Sequence, residues 1–416
     1  MIKEDIYNKI NKIKQMKLTI NMERGWPSKE QLELSLPMLD MVTSKTNLLR
    51  EVDYRGYAGT GGILPLKRLF ADMLSTDIEN VYIGGTMSTT IMYDIIEKMC
   101  SLGKDGNPPW NELEDIKFIC PSPGYEKHFK ICKRFNITML PVPMNQDGPD
   151  MDIVEKMVID DCSIKGIWCV PLYSNPTGIV YSDEVVRRLA NMQTAARDFI
   201  IMWDNAYCVH HLTKRRYTIL NILDECTKAG QKDRVFEFTS TSKITFPGAG
   251  VGVCASSADN IKWLENNSLL QLKTGDKINQ LRHYLFLQNM DVVHRHMEKH
   301  AAIIKPKFDL IDKKLRCELR EIKGIKWNNP KGGYFMHIEL LPNMAKAVWM
   351  KCKELGVSIT PAGSTYPYGI DPQDSTIRLA PTYLSLKEIS VAMDVFCCVV
   401  KLVYLKNKTG GSYSEC

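Results

Sequence analysis

The sequence predicts an α/β protein: a mainly parallel sheet in a large domain, followed by a smaller C-terminal α/β domain. Three observations carry that expectation. Between about residues 80 and 255, short apolar runs without polar alternation recur, each closing on Gly, Pro, Ser or Asn. Runs of that kind are strands buried on both faces. Helical stretches separate them, which is the pattern of parallel strands joined by crossovers. The chain also has 416 residues and is 44% hydrophobic, so it is too long for one simple core.

Residues 3–17 show apolar side chains at helical spacing and predict an N-terminal helix. The loop NMERGWPS follows, with Gly25 and Pro27 as breakers. A Gly-rich loop, 52–62, precedes a helix expected from Pro65 to Leu74. The expected strands are Val81–Ile83, Lys117–Cys120, Gly166–Val170, Phe199–Trp203, Val235–Phe238 and Val251–Ala255. A long charged helical stretch then runs from about Asp276 to Leu319. Beyond it, Lys326–Leu340 and Val357–Pro361 read as strands around a helix Met344–Leu355. Thr376–Ala380 is a further strand and Leu386–Leu405 a final helix, before a polar tail expected to fray. The resulting division is 1–50 as an N-terminal arm with part of the small domain, 51–300 as the large domain, and 301–416 as the C-terminal small domain.

Composition narrows the function classes. The net charge is +6, with basic residues scattered rather than gathered on a face or tail, so no nucleic-acid partner is expected. Thirteen cysteines contain no C-x-x-C pair and read as free thiols of a reducing compartment, with no metal site. No secretory signal is visible near the start. The longest apolar stretch, Val395 to Leu405, is interrupted by Lys401 and is too short to span a bilayer. A soluble, cytoplasmic protein is expected.

In parallel sheets, ligands bind beyond the carboxyl ends of the strands. The chemically unusual residues sit there. VYIGGTMSTT (81–90) is strand, glycines, then a helix start, so Gly85, Thr86 and Met87, with Ser88, form a candidate phosphate cradle. It lacks the spacing of a P-loop. CPSPGYEKHF (120–129) offers Tyr125 as a stacking ring. CVPLYSNPTG (169–178) offers the amide of Asn175. FIIMWDNAY (199–207) puts Asp204 straight after an apolar strand, where a carboxylate needs a cation, and adds Tyr207. TSTSKITFPGAG (239–250) sets Lys243 in an apolar, hydroxyl-rich turn with Ser240 and Ser242. Burial there would free its amine for Schiff-base chemistry. Arg378, in STIRLAP, is a planar fork suited to a carboxylate. Each segment alone has a plain structural reading: a turn, a helix cap, a loop tyrosine. Together they supply what a phosphorylated aldehyde cofactor requires, namely an amine, a partner for a pyridine nitrogen, donors to a phenolic oxygen, a stacking ring and a phosphate cradle.

In this order the motifs resemble the fold-type I aminotransferases, which depend on pyridoxal 5′-phosphate. The stretches CPSPGYEKHF, PVPMNQDGPDMD, KGIWCVPLYSNPTG, WDNAY, STSKITFPGAGV, NQLRH, PKGGYF and TPAG are similar to one branch, the aspartate aminotransferases of subgroup Ic. The resemblance covers roughly residues 20 to 405. It implies that Lys243 carries the cofactor and moves the substrate's α-proton, that Asp204 faces the pyridine nitrogen, and that Arg378 binds the α-carboxylate. It implies amino-group exchange between aspartate or glutamate and a 2-oxo acid such as 2-oxoglutarate, with ping-pong kinetics. Arg24, Gly25 and Lys127 are then candidates for the rest of the substrate pocket. A homodimer is implied as well, with Tyr57 reaching the neighbour's phosphate and Lys277–Arg282 approaching the neighbour's site. Three departures stand out. GAGVGV carries no arginine shortly after Lys243; Lys127 follows Gly-Tyr-Glu where the branch has arginine after Gly-Tyr-Asp; and Trp26 follows Arg24-Gly25. The last two keep open an aromatic or kynurenine aminotransferase, or a β-lyase using the same cofactor.

Overall fold

The computed structural model describes residues 3–57 and 59–409; Ala58 and the polar tail from residue 410 lie outside the described residues. The strands, in chain order, are β1 (Ile20–Met22), β2 (Val81–Ile83), β3 (Lys117–Ser122), β4 (Thr138–Asn145), β5 (Gly148–Pro149), β6 (Ile164–Cys169), β7 (Ile200–Asp204), β8 (Val235–Ser240), β9 (Gly252–Ala255), β10 (Lys326–Trp327), β11 (Met336–Glu339), β12 (Val357–Ile359) and β13 (Thr376–Leu379). Eight of them form one sheet in the order β2-β9-β8-β7-β6-β3-β4-β5. Its centre, β8-β7-β6-β3-β4, is parallel, whereas β9 runs antiparallel to both β8 and β2.

The apolar runs explain this sheet. Along β3, β6, β7 and β8, alternate side chains point to opposite faces, as the strand period of two requires. Ile119, Ile167, Ile201 and Trp203 enter one core; Phe118, Trp168, Met202 and Phe236 enter another on the opposite face. With both faces covered, every parallel pair leaves its carboxyl end as the open edge where side chains converge.

A separate apolar core joins the two ends of the chain. Ile6 and Ile10 of the helix Lys3–Gln15 pack with residues 304–403. Here β1 pairs parallel with β12, and β10-β11-β13 form an antiparallel sheet. The first residues therefore run back across the chain to the last ones.

Three expectations are corrected. The stretch Asp276–Leu319 is two helices, Lys277–Leu287 and Met290–Leu319. Gln288 turns left-handed at φ 52°, and the Asn289 side chain caps the second helix by accepting from the Val292 N–H at 3.1 Å. The expected strand Lys326–Leu340 is β10 and β11, separated by a loop containing Gly332 and Gly333. A Cβ at Gly332 would fall inside the Tyr173 ring, so the loop's approach there requires glycine. Finally, β4 was not foreseen, because Pro141 and Pro143 mask the strand pattern in TMLPVPMN.

Candidate active site

A cavity of about 520 Å³ opens at the carboxyl ends of the central strands and reaches β13 and the loop after β1. Its lining gathers Lys243, Asp204, Tyr207, Asn175, Tyr125, Ser240, Ser242, Met87, Arg378, Arg24, Gly25 and Lys127, residues dispersed over most of the chain. Gly85 and Thr86 flank this lining, while Ser88 and Thr89 take part in it. The helix Ser88–Ser101 thus points its N-terminus at the cavity beside Ser240 and Ser242, whose hydroxyls hydrogen-bond at 3.2 Å. Tyr57 lies away from the cavity and is 86% exposed.

Lys243 sits on a tight turn just after β8. The Ile244 and Thr245 N–H groups both donate to the Thr241 carbonyl, at 2.9 and 2.8 Å. The Tyr334 hydroxyl donates to the Lys243 carbonyl at 3.3 Å, and Gln31 donates to that hydroxyl at 2.8 Å. The backbone is thereby pinned while the amine stays in the cavity, 5.2 Å from the centroid of the Tyr207 ring. Burial lowers the ammonium's pKa, and the charges of Asp204 and Glu126 only partly oppose that. A neutral amine is the form that can react with an aldehyde or take a proton.

Asp204 ends β7 and is buried. His128 Nε2 lies 3.1 Å from its Oδ2, and the imidazole stacks on Trp168 with ring centroids 4.2 Å apart. Among the described residues the other oxygen, Oδ1, has no hydrogen-bond partner. A buried carboxylate oxygen left unpaired is costly, and here it borders an open cavity. Burial raises the Tyr207 phenol far above its ordinary pKa, so it stays a donor. Asn175 Oδ1 accepts from Arg378 Nη1 at 3.2 Å, which leaves its NH₂ group as a donor.

Arg378 is 4% exposed and lies over the Phe335 ring, 4.6 Å from its centroid. Its Nε donates to Thr360 Oγ1 at 3.1 Å. Its two terminal nitrogens grip Glu126 at 2.6 and 3.1 Å. Burial pushes the Glu126 carboxyl up, but the charge and hydrogen bonds of Arg378 outweigh it and hold the group below its ordinary pKa. Gly25 touches the same assembly, since a Cβ there would come within 2.7 Å of Phe335 Cζ. Arg24, Lys127 and Lys130 stand at the mouth, and the Arg24 guanidinium lies 5.2 Å from the Trp26 ring centroid.

Sequence reasoning missed Glu126, His128, Lys130 and Tyr334. The helix Glu126–Arg134 begins right after Tyr125, so Glu126 and His128 turn inward while Lys127 and Lys130 face outward. A histidine three residues from a stacking tyrosine was a readable signal; the pairing of Glu126 with a residue of β13 was not.

This set fits pyridoxal 5′-phosphate. Lys243 supplies the amine, Asp204 Oδ1 is free to meet the pyridine nitrogen, Asn175 and Tyr207 can donate to the phenolic oxygen, and Ser88, Ser240 and Ser242 surround the helix start. The aspartate amino-transferase family profile matches residues 2–411. An aspartate aminotransferase of Corynebacterium glutamicum is 40% identical over 400 residues, covering 95% of this chain and 92% of that one. The crystal structure of an aspartate transaminase from the same organism matches with a TM-score of 0.94 at 39% identity, over 97% of this chain and 96% of that one. A kynurenine aminotransferase of Pyrococcus horikoshii, 18% identical with a TM-score of 0.77 over 95% of this chain and 94% of its own, shares the fold. The chain belongs to the aspartate aminotransferase family, transferases of fold type I that depend on pyridoxal 5′-phosphate.

Proposed function

We propose that this aminotransferase exchanges the amino group between aspartate or glutamate and a 2-oxo acid such as 2-oxoglutarate, in a ping-pong cycle. The observation that carries the reading is the single cavity that joins Lys243, the unpaired oxygen of Asp204 and the buried fork of Arg378. The C. glutamicum relative is named for the same activity.

When bound, the cofactor supplies a sink for the negative charge that develops at the substrate's α-carbon. Arg378 orients the substrate through its α-carboxylate. Lys243 Nζ, whose ammonium form burial disfavours, would take the proton from the substrate's α-carbon. His128 holds Asp204 Oδ2, so that Oδ1 would be available to the cofactor's pyridine nitrogen and would favour its protonated form. Tyr207 and Asn175 would hold the cofactor's phenolic oxygen, and Tyr125 would supply a ring for it to stack on; all three line the cavity. Gly85, Thr86 and Met87, with Ser240 and Ser242, would hold the cofactor's phosphate, since GAGVGV shortly after Lys243 carries no arginine. Arg24 and Lys127 at the mouth would receive a second carboxylate, with Gly25 beside them in the substrate pocket.

The reading includes a homodimer and the division into a large domain at 51–300 and a small domain formed by 1–50 and 301–416. Leu36, Leu39, Leu49, Val52, Tyr57 and Leu64 are exposed apolar side chains, of the kind a second copy would cover. Tyr57 and Lys277–Arg282 would then serve the partner's site. Among the described residues no helix is long and apolar enough to cross a membrane. The reading includes a cytoplasmic location, which free thiols among the described cysteines support.

The test is a half-reaction. L-aspartate should convert the cofactor's absorption to the amine form, and 2-oxoglutarate should restore it. Conversion by L-kynurenine but not by aspartate would overturn the substrate assignment, and release of ammonia with pyruvate would mark a lyase instead.

A further inference from the structure

The guanidinium of Arg378 is already engaged. A planar fork accepts one carboxylate in a two-point grip, and Glu126 fills that grip at 2.6 and 3.1 Å. A second carboxylate could not share it, because the two anions would repel at contact distance. We infer that Glu126 is a latch on the substrate arginine: an internal carboxylate that every carboxylate ligand must displace before it can bind. The inference rests on the reading of Arg378 as the receiver of the substrate's carboxylate.

The two partners are not equally fixed. The Arg378 side chain is 4% exposed and held from two further sides, by Thr360 and by the Phe335 ring. The Glu126 side chain is 22% exposed and is the first residue of its helix. It borders the cavity. A destination exists. Lys130 lies one helical turn further, lines the same cavity mouth, and already acts on the Glu126 carboxylate by its charge. A Glu-Lys pair at that spacing is favourable on a helix, and a carboxylate is favoured at a helix start in any case. The latch also answers a problem of the empty pocket: a buried guanidinium without a counter-ion would be strongly destabilising.

The consequence is a tax on affinity. If the open state is a minor population, the apparent dissociation constant of any carboxylate ligand rises by the inverse of that population. Glu126 thus sets a threshold that weak ligands fail, and the lysines and Arg24 at the mouth are available to the second carboxylate of a ligand that passes it.

The experiment is calorimetric titration of succinate, an unreactive dicarboxylate, into the cofactor-loaded protein. Glu126→Gln keeps the side chain's size and removes the competing charge, and should bind succinate about tenfold tighter than the original. Glu126→Asp keeps the charge but withdraws it by one methylene, and should lie between the two. It also keeps a counter-ion near Arg378, so it decides the matter alone if Glu126→Gln fails to fold. Arg378→Lys should bind succinate far more weakly. If the Glu126 variants bind no more tightly than the original while Arg378→Lys loses binding, the latch is overturned and the carboxylate role of Arg378 stands. If Arg378→Lys binds succinate as the original does, the role of Arg378 falls and the latch with it.

Discussion

Burial decides the chemistry of single residues here. Lys243 has its ammonium form disfavoured by burial, so its fraction of neutral amine rises with pH through a pKa below the ordinary lysine value. Arg378 depends on shape instead. Replacing it by lysine keeps the charge and loses the fork, including the bonds to Thr360 and Asn175. Arg378→Lys should lower kcat/KM for aspartate by roughly 1.5–3 kcal/mol, one to two powers of ten. Steady-state kinetics checks this, and an unchanged kcat/KM would remove Arg378 from the substrate site. Much at this scale was readable in sequence, because Lys243, Asp204 and Asn175 each follow an apolar strand, where a polar group needs a reason. Glu126 was not readable, because its partner lies in β13 and only the fold brings the two together.

Among the elements, the strand ends and helix starts hold the site. Asn289 separates two helices that the sequence pattern joined, and its cap is the device that does so. Asn289→Ala should cost about 1 kcal/mol of stability, read by denaturant unfolding. Periodicity alone could not place this break, since apolar spacing continues through it with no glycine or proline at the junction. In β8, Glu237 is buried beside Asn205, whose Nδ2 donates to it at 2.8 Å. Burial raises its carboxyl to about 7, and that hydrogen bond only partly offsets the rise. The sign follows from proton counts. Between the ordinary carboxylate range and about 7 the folded state holds a proton that the unfolded state has lost, so stability falls as pH rises through that window. Glu237→Gln should remove this loss and stabilise the protein at pH 8 by about 3 kcal/mol. Melting curves from pH 5 to 8 check it, and parallel pH profiles for the two proteins would contradict it.

Across the whole molecule, the cavity lies where the eight-stranded sheet meets the core built from both chain ends. Five strand ends deliver Met87, Tyr125, Asn175, Asp204 and Lys243, and the loop after β1 and β13 deliver Gly25 and Arg378. The order of strands could be anticipated only as parallel and open, because pairing is set by long-range contacts that no local pattern encodes. The antiparallel β9 and the proline-bearing β4 show this limit. The return of residues 3–22 to the C-terminal core is of the same kind.

The central claim is that Lys243 carries pyridoxal phosphate by a carbon–nitrogen double bond. Reduction of the cofactor-loaded protein with borohydride makes that bond permanent, and peptide mass spectrometry locates it. The account predicts one pyridoxyl group per chain, on the peptide containing Lys243, and its loss in Lys243→Ala. A pyridoxyl group on another lysine, or none on any, would contradict it.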